Sequence, residues 1–443
     1  MLSLFALALV ITCITLLLTK RASPFVTFSL IPILFAFIAG FSTSEIQTFF
    51  LAGLDKVTPI AVMFIFAILF FAFMQERGLF DPMIQSIVSK AGDHLIAVTA
   101  ATVAISILAH LDGSGASTFL ICIPTLLPVY QRLQMSPYLL LLLVSASASV
   151  MNMLPWGGPL GRAATVIEVD PTQLWYALIP IQGSAVFLLF LGAYLLGKRE
   201  QYRIKERSLP EAHLEQITGG LREPAEGDHR SEDSKDQSSQ LPAYWWTNLC
   251  LTLSMITLLL SGIFPSALVF IIALSIALIL NRQTVDEQHA FMKKHAWSAL
   301  HMAMIIFAAG IFLGVLKESK MLHALAQDAM SYLPEMIQAH IHILIGFFGA
   351  PFELILNTDA YYYALLPIVE QAVHPYAVSS ESVVYAMLIG NIIGTFISPF
   401  SPALWLALGL AHLDMDSHIR YSFKWIWGLS IILMLIAWIL GLF

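Results

Sequence analysis

Charge is scarce in this chain. Lys, Arg, Asp and Glu make up 12% of its 443 residues, against about 25% in a soluble globular domain. The net charge is −7 and no basic segment stands apart, which excludes a nucleic-acid binder. Cysteine is also rare. Cys13, Cys122 and Cys250 lie far apart in apolar stretches, so no disulfide framework or thiolate metal site follows. Neither H-E-x-x-H nor G-x-S-x-G occurs, and no GxGD-type aspartyl pair is evident, so the chain does not read as an enzyme. Apolar residues fill the space instead, at 58% of the chain and a mean hydropathy of +0.79. Together these describe an all-α polytopic membrane protein, whose function resides in the few polar groups kept inside apolar segments.

The charges that exist are bunched. Residues 198–243 hold 8 of the 22 Lys and Arg and 10 of the 29 Asp and Glu, with Pro, Gly and Ser among them. That segment reads as a charged, partly disordered cytoplasmic linker between a first membrane repeat, 1–197, and a second, 244–443. Spans of about 20 apolar residues are expected at 2–19, 24–40, 57–75, 137–170 and 174–196. The second half offers 246–262, 264–281, 298–316, 382–412 and 421–442. Residues 2–19 lack a basic n-region and a small-residue cleavage site, so they read as a retained helix. Segments 95–131 and 338–373 are apolar with a polar break, as in re-entrant hairpins, and 79–92 and 320–333 read as interfacial helices. This layout places Lys20, Arg21, Arg77, Lys90, Arg132, Arg282, Lys293, Lys294, Arg420 and Lys424 inside. Only Lys56, Lys317 and Lys320 fall outside, a consistent positive-inside pattern.

The halves resemble each other. An apolar helix ends at Glu76 in one and at Glu318 in the other; PTLLPV (124–129) recurs as YALLPI (363–368); a Pro-broken helix follows in each. Five crossings per half is an odd number, so the second half is inverted relative to the first. The expectation is about 10 spanning helices, two re-entrant hairpins and two broken helices.

Four polar interruptions stand out. HLDGSGAST carries Asp112, Ser114, Ser117 and Thr118, with glycines that let the chain turn. Asn152 is followed by PWGGPLGR, in which Gly157 and Gly158 unwind the helix and Arg162 opens the next half-helix. ELILNTDAYYY carries Asn357, Thr358 and Asp359, and GNIIGTFISPFSPA carries Thr395 and Ser398. Broken backbone at membrane depth is tolerated where it lines a cavity or is buried in protein, so the four breaks are expected to meet around one substrate. Each has a plainer reading. Gly-Pro breaks also make structural kinks, Asp112 can sit in the interface, and Arg162 can snorkel outward or pair with Glu168 or Asp170. His301, His340 and His342 stand isolated and read as helix surface.

These motifs resemble a known family. LDGSGASTFLICIPTLLPVYQRL (111–133), VMNMLPWGGPLGRAATVIEVD (150–170), LNTDAYYYALLPIVEQA (356–372) and SPFSPALWLALGLAHLDMDSHIRYSFKW (398–425) are similar to the bacterial citrate–divalent metal/proton symporters, CitMHS, of the ion transporter superfamily. The resemblance implies a homodimer in the bacterial inner membrane, moving one domain past a scaffold like an elevator. It implies citrate as cargo, complexed to Mg²⁺ or Ca²⁺ and taken up with protons, with no permanently bound cofactor. The substrate set is then Ser114, Ser117, Thr118, Asn152, Gly157, Gly158, Arg162, Asn357, Thr358, Thr395 and Ser398. Asp112 and Asp359 become the cation- or proton-coupling pair. The residues fit such cargo on chemistry alone. Arg162 and half-helix N-termini suit a free carboxylate, and Asp112, Asp359, Asn152 and Asn357 offer oxygen to a hard cation. A cation/proton antiporter on the same scaffold is the rival; a carrier of a different organic anion is the nearer variant.

Overall fold

The computed structural model describes residues 2–217 and 241–443. Among the described residues there is no β-strand. The first half begins with α1 (Leu2–Leu18), α2 (Pro24–Ile38), α3 (Thr43–Glu76), α4 (Asp81–Ala91), α5 (Leu95–Ala109) and α6 (Gly115–Arg132). It continues with α7 (Pro137–Met151), α8 (Gly158–Ile167) and α9 (Pro171–Ile217). The second half opens with α10 (Trp245–Ser261), α11 (Ser266–Leu280), α12 (Val285–Glu318) and α13 (Met321–Ser331). Short helices α14 (Glu335–Gln338), α15 (Ile341–Phe347) and α16 (Gly349–Phe352) come next, then a π-helical turn, Ala360–Leu365. The chain ends with α17 (Leu366–Val373), α18 (Ser380–Ile392), α19 (Pro402–Ala411) and α20 (Met415–Ile439).

Among the described residues five helices are long and apolar enough to cross a membrane, and six shorter apolar helices accompany them. This is a multi-pass membrane protein. The two halves repeat in detail. α1 and α10 have 17 residues each, α2 and α11 have 15, and α3 and α12 have 34. α4 and α13 have 11, and α8 and α19 have 10.

Two boundaries differ from the sequence reading. α3 and α12 start at Thr43 and Val285, well before the expected 57 and 298. Each opens on a capping box, Ser42 with Glu45 and Thr284 with Glu287, which satisfies the first free N–H groups and lets a polar first turn stay helical. The second difference is at the linker. α9 does not stop before Lys198 but runs on to Ile217. Two of its charges are engaged: Glu200 is buried, bonds Arg203 and accepts from the Ser136 backbone, and Arg203 donates to the Gln134 carbonyl at 3.0 Å. These bonds hold the start of the charged stretch in the helix. The rest of the expected linker, 218–240, lies outside the described residues.

The longest helices, α3 and α12, pack backbone to backbone. A Cβ at Gly53 would overlap the Gly310 carbonyl, and one at Gly314 would overlap the Phe49 carbonyl. Small residues are what permit such an approach between membrane helices, where apolar surface alone drives little association. The segments 137–170 and 382–412, expected as broken helices, are each two helices, α7–α8 and α18–α19, with the chain unwound at 152–157 and 393–401.

Candidate substrate site

The first hairpin turns tightly. α5 ends at His110–Asp112 in a 3₁₀ turn, and Gly113 takes φ +72°, a left-handed conformation open to glycine. Ser114 caps α6. Asp112 Oδ1 accepts from the Ser114 N–H at 2.8 Å and its Oδ2 accepts from the Ser117 hydroxyl. Both oxygens of Asp112 are therefore spent inside the turn, at the positive end of α6. The second hairpin is less regular. Gly346 and Gly390 face each other so closely that a Cβ on either would strike backbone, and Pro351 sits within α16. Its first limb is consequently split into short helices, and the chain is non-helical through Asn357.

The breaks are built by glycine and proline where the chain must unwind. A Cβ at Gly157 would overlap the Asn152 carbonyl, so that turn closes with glycine alone. At Gly158 a Cβ would lie 2.7 Å from an Arg162 terminal nitrogen, so the missing side chain leaves room for the guanidinium. The four interruptions interlock. Gly113 packs on Trp156, whose indole N–H donates to the Leu111 carbonyl at 2.8 Å. Gly115 packs on the ring of Phe396 from the other break. Ser398 donates to the Glu353 carbonyl at 2.6 Å.

They enclose a cavity of about 650 Å³, within the usual range for small-molecule sites. Gly113, Asn152, Gly158, Arg162, Asn357, Thr358, Asp359 and Thr395 line it, one or more from every break. Ser114, Ser117, Thr118, Gly157, Ser398 and Asp112 do not line it. They shape the turns behind it. The α1–α2 turn also lines the cavity, with Lys20 and Arg21, and α12 adds His301. His301 is exposed, in keeping with its reading as helix surface, while it also borders the cavity; His342 is buried rather than exposed, a correction to its reading as helix surface.

Arg162 neither snorkels outward nor pairs with Glu168 or Asp170. Its Nε donates to Asp359 Oδ1 at 2.7 Å, joining α8 to the tip of the second hairpin. Asp359, expected as one of the coupling pair, is thus the counter-ion of the cavity-lining arginine. Glu168 instead pairs with Lys317 at 2.8 Å and Lys56 at 3.2 Å, and Lys317 also donates to the Val166 carbonyl at 2.8 Å. One end of α8 therefore faces the cavity while its other end is pinned to α3 and α12. Asp170 accepts from Ser266 at 2.6 Å.

Two buried groups escaped the sequence reading, which took them only as the first residues of polar stretches. His110 is fully buried and bridges the tip to the break, with Nδ1 2.7 Å from the Thr118 hydroxyl and Nε2 3.0 Å from Asn152 Oδ1. With Nε2 donating to Oδ1, Asn152 Nδ2 is left buried and unpartnered at a cavity-lining residue. Glu353 is also fully buried, behind Thr358. The signal for both was present: an ionisable residue inside an otherwise apolar run.

An all-helical membrane bundle with a cation-lined polar cavity where broken helices meet is the build of a membrane transporter. The sequence profile of the citrate transporter family, CitMHS, matches residues 2–390. The chain belongs to that family, whose members are transporters rather than enzymes. A Mg(2+)/citrate complex secondary transporter of Bacillus subtilis (strain 168) is 33% identical over 441 residues, 100% of this chain and 99% of that protein. A citrate transporter of the same organism is 30% identical over 442 residues, covering 100% of this chain and 99% of the relative. The crystal structure of the Alcanivorax borkumensis YdaH transporter shares the fold, with a TM-score of 0.57 over 88% of this chain and 87% of that one, at 19% identity.

Proposed function

We propose that this protein carries citrate, or a closely similar di- or tricarboxylate, as its complex with Mg²⁺ or Ca²⁺, coupled to protons. The observation that carries the reading is the charge of the cavity. Lys20, Arg21 and Arg162 line it, and Asp359 is the acid among the lining residues. A surplus of cations around a polar pocket favours a polyanion, and Arg162 keeps its terminal nitrogens for a carboxylate while Nε holds Asp359. The free Asn152 Nδ2 adds a neutral donor. Among the described residues no three His, Cys, Asp or Glu side chains are grouped as a metal site. The cargo's own oxygens supply most of the cation's ligands on this reading, with Asn357 and Thr358 on the cavity wall. A cation/proton antiporter has no use for a buried arginine at the centre of its site.

On this reading both hairpins are re-entrant, the halves are inverted, and the cavity opens to the cytoplasm, where the charge pattern puts Lys20 and Arg21. The α3–α12 pair belongs to a scaffold, and the breaks move against it. The test is uptake of labelled citrate into proteoliposomes, with and without Mg²⁺ or Ca²⁺, against a panel of other carboxylates. Metal-dependent citrate uptake is expected. Cation exchange with no response to any carboxylate selects the antiporter.

A further inference from the structure

We propose that Glu353 is the residue that takes up the coupled proton. The inference rests on the carboxylate-carrier reading above and assigns its coupling step to a side chain outside the cavity wall.

Three acids lie buried or nearly so around the breaks, and their surroundings differ. Both oxygens of Asp112 already accept hydrogen bonds, from the Ser114 N–H at 2.8 Å and from Ser117. Asp359 is held by Arg162 at 2.7 Å. A proton on Asp359 weakens that ion pair, and one on Asp112 competes with the bonds its two oxygens already accept. Glu353 is different. Its carboxyl has no solvent exposure, its Oε2 accepts one long bond from Thr358 at 3.4 Å, and its Oε1 has no partner. Among the described residues it forms no ion pair. The Asn391 and Ser398 side chains lie against the carboxyl, yet Oε1 completes no hydrogen bond, so a proton there breaks none and supplies the donor this buried group lacks. Asn391 lies beside it, its own Oδ1 also buried and unpartnered. Gly394 makes the room, since a Cβ there would press on Glu353 Cγ at 3.2 Å.

The position suits coupling. Thr358 both lines the cavity and reaches the carboxyl, so a hydroxyl links Glu353 to the water-accessible space. The charged and titratable groups that face it are Arg162 from α8 and Tyr361 and Tyr362 from the π-helical turn. Arg162 is the cation among them, and it is also the proposed anchor of the substrate carboxylate. An anion arriving there draws on the charge that otherwise stabilises ionised Glu353, and adds negative charge of its own. Substrate binding and protonation of Glu353 therefore favour each other, and linkage makes the effect reciprocal. The proton enters from the side where the cargo is bound and leaves after it on the other. Loading without a proton then leaves one more negative charge buried at the breaks.

The experiment compares wild type with Glu353→Gln in proteoliposomes under Mg²⁺, measuring citrate accumulation driven by an imposed pH gradient and, separately, citrate counterflow. Gln keeps the shape with a fixed neutral head. Counterflow persisting in E353Q while gradient-driven accumulation falls at least tenfold is the expected result. Accumulation that persists in E353Q, or wild-type accumulation that answers to a sodium gradient and not to pH, overturns the proposal. Should E353Q fail to insert, wild type decides alone. Adding Mg–citrate to the purified carrier in lightly buffered detergent is expected to remove about one proton per bound complex from solution, and no proton uptake overturns it. Wild-type transport of citrate that ignores pH leaves the carboxylate reading standing and removes this one. Wild-type indifference to every carboxylate removes both.

Discussion

The two hairpin tips occupy matching places in the repeat and are finished in opposite ways. In the first, His110 sits just before the turn and reaches a tip threonine, Thr118, and the first break, Asn152. In the second, Glu353 sits just before the turn and meets a tip threonine, Thr358, and the second break, Ser398. In the first network the ionisable groups are saturated: Asp112, Ser114, Ser117, Thr118 and His110 are all bonded to one another or to Asn152, whose Nδ2 is the atom left over. The second is open, with Glu353 Oε1 and Asn391 Oδ1 unpartnered and Asp359 reaching across to Arg162. Repetition supplies the frame of broken helices. The departures from repetition, an arginine on α8 where α19 has Trp405 and a carboxyl where the first half has an imidazole, supply the chemistry.

Substitutions can break this contrast. The largest expected effect is at Arg162. Arg162→Ala removes the cation and strands Asp359 in the cavity, so citrate affinity should fall by about 100-fold or more, roughly 2.7 kcal/mol. Arg162→Lys keeps the charge without the fork and should retain weak uptake. Concentration-dependent uptake separates the two, and Ala matching wild type within about twofold would make Arg162 structural.

Next comes the saturated network. His110→Ala frees Asn152 and should raise the apparent Kd by about tenfold. Because both residues act as one unit, His110→Ala with Asn152→Ala should be little worse than Asn152→Ala alone. Additive losses would show that His110 acts on the cargo by another route.

Asp112→Asn tests whether the first tip is only architecture. It should lower the stability of the purified protein by about 1–2 kcal/mol through weaker turn and cap bonds, while pH-gradient-driven accumulation continues. Decoupling by Asp112→Asn would spread the coupling role over both tips and erase the contrast. The smallest effect is expected at the outer end of α8. Lys56 is over half exposed where it meets Glu168, so Lys56→Gln should change stability by less than about 0.5 kcal/mol. Lys317→Gln should cost more, since Lys317 also holds the Val166 carbonyl. Thermal melts of the two variants rank them.

Much of the frame was legible in the sequence because membrane depth makes polarity conspicuous. Asn152, Arg162, Asn357, Thr358, Asp359 and Thr395 stand out inside apolar runs, and all of them line the cavity. Helix starts were harder, because α3 and α12 begin in polar turns whose caps, Ser42–Glu45 and Thr284–Glu287, were passed over in favour of hydropathy. Side-chain pairing was not legible at all. Arg162 has Glu168 and Asp170 close by in sequence, yet bonds Asp359, 197 residues away. Nothing local separates an acid whose oxygens fold back on their own turn, as in Asp112, from one left open, as in Glu353. That distinction is made by Asn391 at the end of α18 and Gly394 in the break that follows it.

The bond between Arg162 and Asp359 has an electrical consequence. A carrier must return empty, and the returning site moves through the membrane field. A bare guanidinium on that journey does work against the potential, about 2.3 kcal/mol per elementary charge for each 100 mV. Joined to Asp359 at 2.7 Å, Arg162 forms a dipole with no net charge, so its share of the empty return is indifferent to voltage. On the reading proposed above, voltage dependence then comes from the other charges that move, Glu353 once its proton has left and the cargo with its protons in the loaded step.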